Sequence, residues 1–151
     1  MHRSLRALVA SLALADVCCG QSPTTPAAAP TPLNLSGTWS GDLPVQGMTA
    51  RMTWTLSQSS NVVTGPVLVV LPSGTVLLNG SLSGTLAGSA LTYAIAVAPG
   101  GIPTQPACVG QLGGTMNATV DVVSTLAGSY AVRSSTCTTP FTGGTLTLKK
   151  Q

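Results

Sequence analysis

Cys108 and Cys137 are the first residues to ask chemistry of, followed by the acids Asp16, Asp42 and Asp121 and the single histidine, His2. A nucleophilic thiol needs a neighbouring base to activate it. The only histidine stands at position 2, in a segment expected to be removed, so no such base is at hand. The chain has no glutamate, and only Asp42 and Asp121 lie beyond the leader. A carboxylate pair for glycoside hydrolysis is therefore not compelling, and a Ser-His-Asp triad cannot be assembled. A Ser-Lys arrangement would have to draw on Lys149 or Lys150 at the far end of the sequence. Metal sites need clusters of His, Cys or carboxylate, and these are missing from the sequence. Gly113-Gly114 and Gly143-Gly144 lack the strand-to-helix setting and the lysine of a phosphate loop, and Gly143-Gly144 reads more simply as a bulge. The expectation is a chain that is not an enzyme, with no catalytic residue, no metal and no cofactor. In an exported chain Cys108 and Cys137 pair most simply as a disulfide, adding roughly 3–4 kcal/mol by loop closure.

Composition narrows the partners. Hydrophobic residues make up 44% and charged residues only 6%, against about 25% charged in an ordinary soluble domain. Beyond the leader stand four bases (Arg51, Arg133, Lys149, Lys150) and two acids, a net charge of 4 − 2 = +2. So few cations cannot track a phosphate backbone, which excludes nucleic acid as a partner. The surface must be built from Thr, Ser, Asn, Gln and Gly. The sequons at Asn34, Asn79 and Asn117 are expected by chance in so hydroxyl-rich a chain.

The N-terminus reads as an address. His2, Arg3 and Arg6 precede an apolar core, Ala7 to Ala15, in the layout of a secretory signal. That core is too short to cross a membrane as a helix, which takes about 20 residues. Ala13-Leu14-Ala15 fits ordinary signal cleavage. Val17-Cys18-Cys19-Gly20 resembles a bacterial lipoprotein cleavage site, in which the cysteine after the cut is acylated. Cleavage after Ala15, Val17 or Cys18 stays open, with lipidation at Cys18 or Cys19 the favoured reading. The organisation expected is a lipoprotein-like signal peptide at 1–19, a tether at 20–33 and a folded domain at 34–151. Within the tether, QSPTTPAAAPTP carries four prolines and cannot bury a core. It should act as a semi-extended spacer reaching nearly 40 Å at ~3.1 Å per residue. The membrane is met only through the anchor, and the chain is expected in a bacterial cell envelope, outer-membrane-anchored or periplasmic, and otherwise secreted.

From residue 34 onward the periodicity is two. Met48, Ala50, Met52, Trp54 and Leu56 share one face, with Thr49, Arg51, Thr53, Thr55 and Ser57 on the other. Leu91, Tyr93, Ile95 and Val97 repeat the pattern, as do Leu112, Met116, Ala118 and Val120. Turn residues separate these runs, and the strands expected are 34–43, 48–58, 61–71, 75–86, 89–98, 107–121, 125–133 and 142–150. A short unit recurs: an apolar residue, a small one, then glycine. It ends at Gly37, Gly65, Gly84, Gly88, Gly114, Gly128 and Gly143. Each glycine lies two residues beyond the apolar one, hence on the same inner face, where it lets a strand coil sharply. The fold class expected is all-β, an antiparallel meander of about eight strands closing into an up-and-down β-barrel, with a sandwich as the alternative. Closure removes edges that so few charged residues could protect.

Ser36-Gly37-Thr38-Trp39 before a meander of glycine-kinked strands resembles the lipocalin/avidin group of small barrels. It also resembles uncharacterised exported bacterial proteins with an NLSGTW-like start, a late cysteine pair and a GGTLTL-like last strand. The likeness covers residues 34–151 as a pattern. It implies a barrel that holds a small apolar ligand, with Trp39, Met52, Trp54, Tyr93, Met116 and Tyr130 as interior or ligand-lining candidates. Avidin-like biotin sites use several tryptophans, whereas only Trp39 and Trp54 occur here, which argues against biotin. The lipocalin pattern also implies an arginine packed on Trp39, for which Arg51 and Arg133 are both available. The competing readings are an inhibitor or protein-interaction module, with the loop at 99–107 as its contact, and a structural envelope protein. In every reading the function is binding or structural, not catalytic.

Overall fold

The structure is a computed structural model that describes residues 33–45, 47–119 and 124–151. The leader, the lipidation candidates Cys18 and Cys19, the proline-rich tether and Asp121 lie outside these residues. The strands are β1 (Gly37–Val45), β2 (Met48–Ser59), β3 (Val62–Val70), β4 (Val76–Ala87), β5 (Ala90–Val97), β6 (Gly110–Thr119), β7 (Thr125–Ser135) and β8 (Phe141–Lys150). Each pairs antiparallel with the next, and β8 returns to β1, so the sheet closes in sequence order into a barrel. The sandwich alternative does not occur.

The period-two pattern explains the strands. In β2, Ala50, Met52, Trp54 and Leu56 are buried while Arg51, Thr55 and Ser57 face outward. In β5, Leu91, Tyr93, Ile95 and Val97 are buried in the same rhythm. Eight strands leave an interior just wide enough for side chains to fill, and the filling follows a rule visible in the register. Large inward residues stand opposite glycines on neighbouring strands. Met52 faces Gly41, Leu82 faces Gly65, Met116 faces Gly128, and Tyr93 faces Gly84 on one side and Gly114 on the other. A Cβ at Gly41, Gly65, Gly114 or Gly128 would overlap a carbonyl oxygen of the adjacent strand. At these points the strands coil tightly and the space above each glycine belongs to the large side chain opposite it.

Three expectations are corrected. The first strand starts at Gly37, not at residue 34. Leu33–Ser36 instead fold across one end of the barrel, where the Gln58 side chain accepts from Leu35 N–H (2.7 Å) and donates to Leu33 C=O (2.9 Å). The strand expected from residue 107 starts at Gly110, because Cys108 N–H donates to Gln105 C=O and so belongs to the preceding loop. Of the recurring glycines, Gly88 sits in the β4–β5 turn with φ +61°, and Gly143 stands in a bulge, not on a regular inner face. There Gly143-Gly144 oppose the single residue Tyr130, and Phe141 is left half-exposed.

The barrel has two unlike ends. Leu33–Ser36, the tight turns after β2 and β4, Ser124 and Gln151 form one. At this end Leu86 N–H donates to Asn61 C=O and Ala118 N–H to Ser89 C=O. The other end carries the longer loops at 71–75, 98–109 and 136–140, and the Cys108–Cys137 disulfide ties the last two together (Cα–Cα 5.7 Å).

Candidate functional site

The six interior candidates do not line an open cavity together; they fill the barrel. Trp39, Met52, Trp54, Tyr93 and Met116 are all buried, and Tyr130 packs against the same core from the bulge. Trp54 and Tyr93 meet in a tilted pair with ring centroids 4.9 Å apart and planes at 58°, a favourable edge-on arrangement of two quadrupoles. Tyr93 donates its hydroxyl to Ser129 C=O at 3.2 Å. Burial pushes its pKa up from the ordinary 10.0 to about 12; Tyr130 adds to the rise and Arg133 opposes it. Trp39 sits at the start of β1 and donates its indole N–H to Leu35 C=O at 2.7 Å. That bond pins the entering chain across the barrel end. The Trp54 N–H is buried and has no partner.

The cation on Trp39 is neither Arg51 nor Arg133. Lys150 extends over the ring, with Nζ 5.5 Å from its centroid. Arg51 lies on the outer face, where its Nη2 donates to Ser40 Oγ at 2.7 Å and helps to bury that outward-facing serine. Arg133 lies outside as well, along Gly113, where a Cβ would come within 2.7 Å of Nε. It borders a broad, open depression edged by the hydroxyls of Ser83, Thr85 and Thr92.

Among the described residues an apolar space lies at the disulfide end, beside the loop at 99–107 that the sequence offered as a contact. A cavity of about 110 Å³ opens there among Leu78, Val97, Ile102, Cys108, Leu112 and Val132. Pockets for ligands of ordinary size run ~300–1,000 Å³, so this one has room for a single branched side chain. Ile102 reaches it from the loop at 98–109, which is held rigidly and not left as a free arm. Gly100 N–H donates to Pro106 C=O, and Asn79 N–H on β4 donates to Gly101 C=O, both at 2.7 Å. The sequence signal for this site was the long loop at 99–107, PGGIPTQPA, from which Ile102 enters the cavity.

The same end also carries two exposed large apolar residues on strand termini. Met48 at the start of β2 is 49% exposed and Phe141 at the start of β8 is 48% exposed. Phe141 stands in register with Val132, which lines the cavity. Among the described residues no group of three or more metal-ligating side chains occurs. Asp42 is the one acid described, opposite Arg51 across β1 and β2. No protein family, curated protein or solved structure matches the chain at a significant level.

Proposed function

We propose that this chain is a non-catalytic binding barrel of the lipocalin/avidin kind, exported to a bacterial cell envelope and held there by an N-terminal lipid anchor. Its disulfide end receives an apolar side chain of a protein partner. The observation that carries this reading is the contrast between a filled interior and an apolar cleft at one end, beside a half-exposed phenylalanine. A lipocalin-like cargo would need the space that Trp39, Trp54, Tyr93 and Met116 occupy. An interaction site needs only an exposed anchor with a small pocket beside it, fixed on a rigid frame. The first described residue, Leu33, stands at the end opposite the disulfide. Scarce acids, and a histidine confined to the leader, support the absence of catalysis.

A second reading, a small apolar ligand inside the barrel, has one observation in its favour. The unpartnered Trp54 N–H is a donor that a ligand acceptor would satisfy.

One experiment tests both. A photo-crosslinking residue is placed at position 141 of the full-length chain, and at the outward-facing position 64 as a control, in a bacterial envelope. The expected result is a discrete adduct with one protein from position 141 only. Equal adducts from both positions, or none, would overturn the partner reading. A stoichiometric small molecule retained in the native mass spectrum and lost on unfolding would establish the second reading instead.

A further inference from the structure

Arg51 has an acid directly opposite it and turns elsewhere. Asp42 is its register partner on β1, and opposite charges facing one another across a sheet ordinarily pair. Arg51 Nη2 instead donates to Ser40 Oγ at 2.7 Å, and no ion pair joins it to Asp42. Ser40 is 4% exposed, the one buried polar side chain among the described residues. Having accepted from Arg51, its hydroxyl keeps a proton to give. On the far side of Ser40 stands Lys149, its register partner on β8. Arg51 and Lys149 are thus two strands apart, roughly 9–10 Å between backbones, a span that two long side chains can bridge through one oxyanion. The floor beneath them is closed: a Cβ at Gly41 would overlap the Thr147 carbonyl oxygen, so β8 lies hard against β1. Over that floor lies a depression of about 440 Å³ on the outer face, edged also by Asp42, Thr145, Thr147 and Gln151. Gln151 Nε2 donates to Lys149 C=O at 3.1 Å, which leaves its amide oxygen free to accept. The volume falls in the ~300–1,000 Å³ range of small-ligand sites.

We infer that this depression binds a small hydroxylated anion, a sugar acid or a polyol phosphate. The carboxylate or phosphate sits between Arg51 and Lys149, whose like charges repel one another unless an anion lies between them. Of the four bases beyond the leader, these are the two brought to one depression; Lys150 lies on Trp39 and Arg133 borders a separate one. Asp42 supplies the selectivity. A carboxylate on the rim repels a bare inorganic anion, but accepts from a hydroxyl group carried beside the oxyanion. Thr145, Thr147 and the Gln151 amide oxygen offer further partners for such hydroxyls. Among the described residues no aromatic side chain lines the depression, so recognition is polar and weakened by salt. The site lies on the barrel wall, not at the disulfide end, and does not depend on the partner reading above.

Amide chemical shifts of the full chain, followed by heteronuclear NMR, test it. Glucuronate or glycerol phosphate should shift the Ser40, Asp42 and Thr147 amides saturably and leave Thr92, on the far wall, unmoved. Whichever of the two binds more tightly assigns the oxyanion as carboxylate or phosphate. Inorganic phosphate should bind about tenfold more weakly or worse, and glucose should leave the amides unmoved. Arg51→Gln and Lys149→Gln should each weaken binding by about tenfold or more, whereas Arg133→Gln should not. Lys149→Gln touches no buried group, so it reads the site even if Arg51→Gln disturbs Ser40. Asp42→Asn should weaken the hydroxylated anions and strengthen inorganic phosphate, an inversion that mere loss of structure would not produce. Amides that do not respond, or shifts that grow without saturating, would overturn the inference. So would inorganic phosphate binding as tightly as the hydroxylated anions, glucose as effective as glucuronate, or an equal loss from Arg133→Gln.

Discussion

Gly128→Ala is the sharpest test of how the barrel is built. A Cβ there would overlap the Thr115 carbonyl oxygen and stand 2.7 Å from Met116 Cα. Carbon atoms in good contact sit about 3.5–4.0 Å apart, so β6 and β7 must separate by roughly 1 Å at this rung. The parting would weaken about two ladder hydrogen bonds at ~1 kcal/mol each. Overpacking of the Met116 side adds ~1–3 kcal/mol. Reduced freedom of the unfolded chain returns about 0.4–1 kcal/mol. The net expected loss is ~2–4 kcal/mol, a large share of the ~6–18 kcal/mol that 0.05–0.15 kcal/mol per residue implies for a barrel of this size. Gly144→Ala is the control, because its Cβ would find only the Tyr130 ring, at 3.8 Å. Urea unfolding followed by the fluorescence of buried Trp39 and Trp54 should show a midpoint lower by roughly 1–3 M for Gly128→Ala. The Gly144→Ala midpoint should be little changed. If the two variants unfold within 1 kcal/mol of each other, close strand approach at the glycines is not what shapes the barrel.

Trp39→Phe should cost about 1–2 kcal/mol more than Trp54→Phe in the same melts, because only the first breaks an indole hydrogen bond and strands the Leu35 carbonyl; equal costs would contradict that assignment. Replacing both Cys108 and Cys137 by alanine should lower stability by about 3–4 kcal/mol, from the 29-residue separation that the disulfide closes, and a loss under 1 kcal/mol would show that the two loops are held by other means. Tyr93 holds its proton more tightly in the folded barrel than in the unfolded chain. Its contribution is therefore complete below about pH 10 and is lost as pH rises toward about 12. Alkaline melts of Tyr93→Phe should lose less stability across that window than those of the unaltered chain, and parallel losses would refute the buried phenol.

Much of the barrel was legible because two-residue alternation and glycine placement both report on a single inner face. Met52, Trp54, Tyr93 and Met116 announced themselves as interior by their spacing alone. What spacing cannot carry is volume. The same rings suit a ligand wall or a solid core, and only the placement of Gly84 and Gly114 on either side of Tyr93 shows that the space is taken. Nor can it carry register across the closing seam, which depends on how far all eight strands are staggered. Ser40 points outward, yet Arg51 folds over it and buries it, a long-stem effect that alternation does not encode. The loop at 99–107 was legible as a contact, but the cavity at Ile102 also draws on strand residues distant in sequence, so no local pattern could mark the apolar space itself.

The strictly sequential strand order also sets how the chain finds its fold. Seven of the eight strand pairings join neighbours in sequence and can form as hairpins or local loops, on timescales of about 1–10 μs for the tightest. The eighth, Trp39 with Lys150, joins residues 150 − 39 = 111 apart. Closing so long a loop costs about 4 kcal/mol in chain entropy by the logarithmic estimate. The rungs that reward it are only the two at one end of the seam. Refolding should therefore stall as an almost complete, rolled but unlatched sheet, and Lys150 settling on Trp39 would mark the moment the barrel latches.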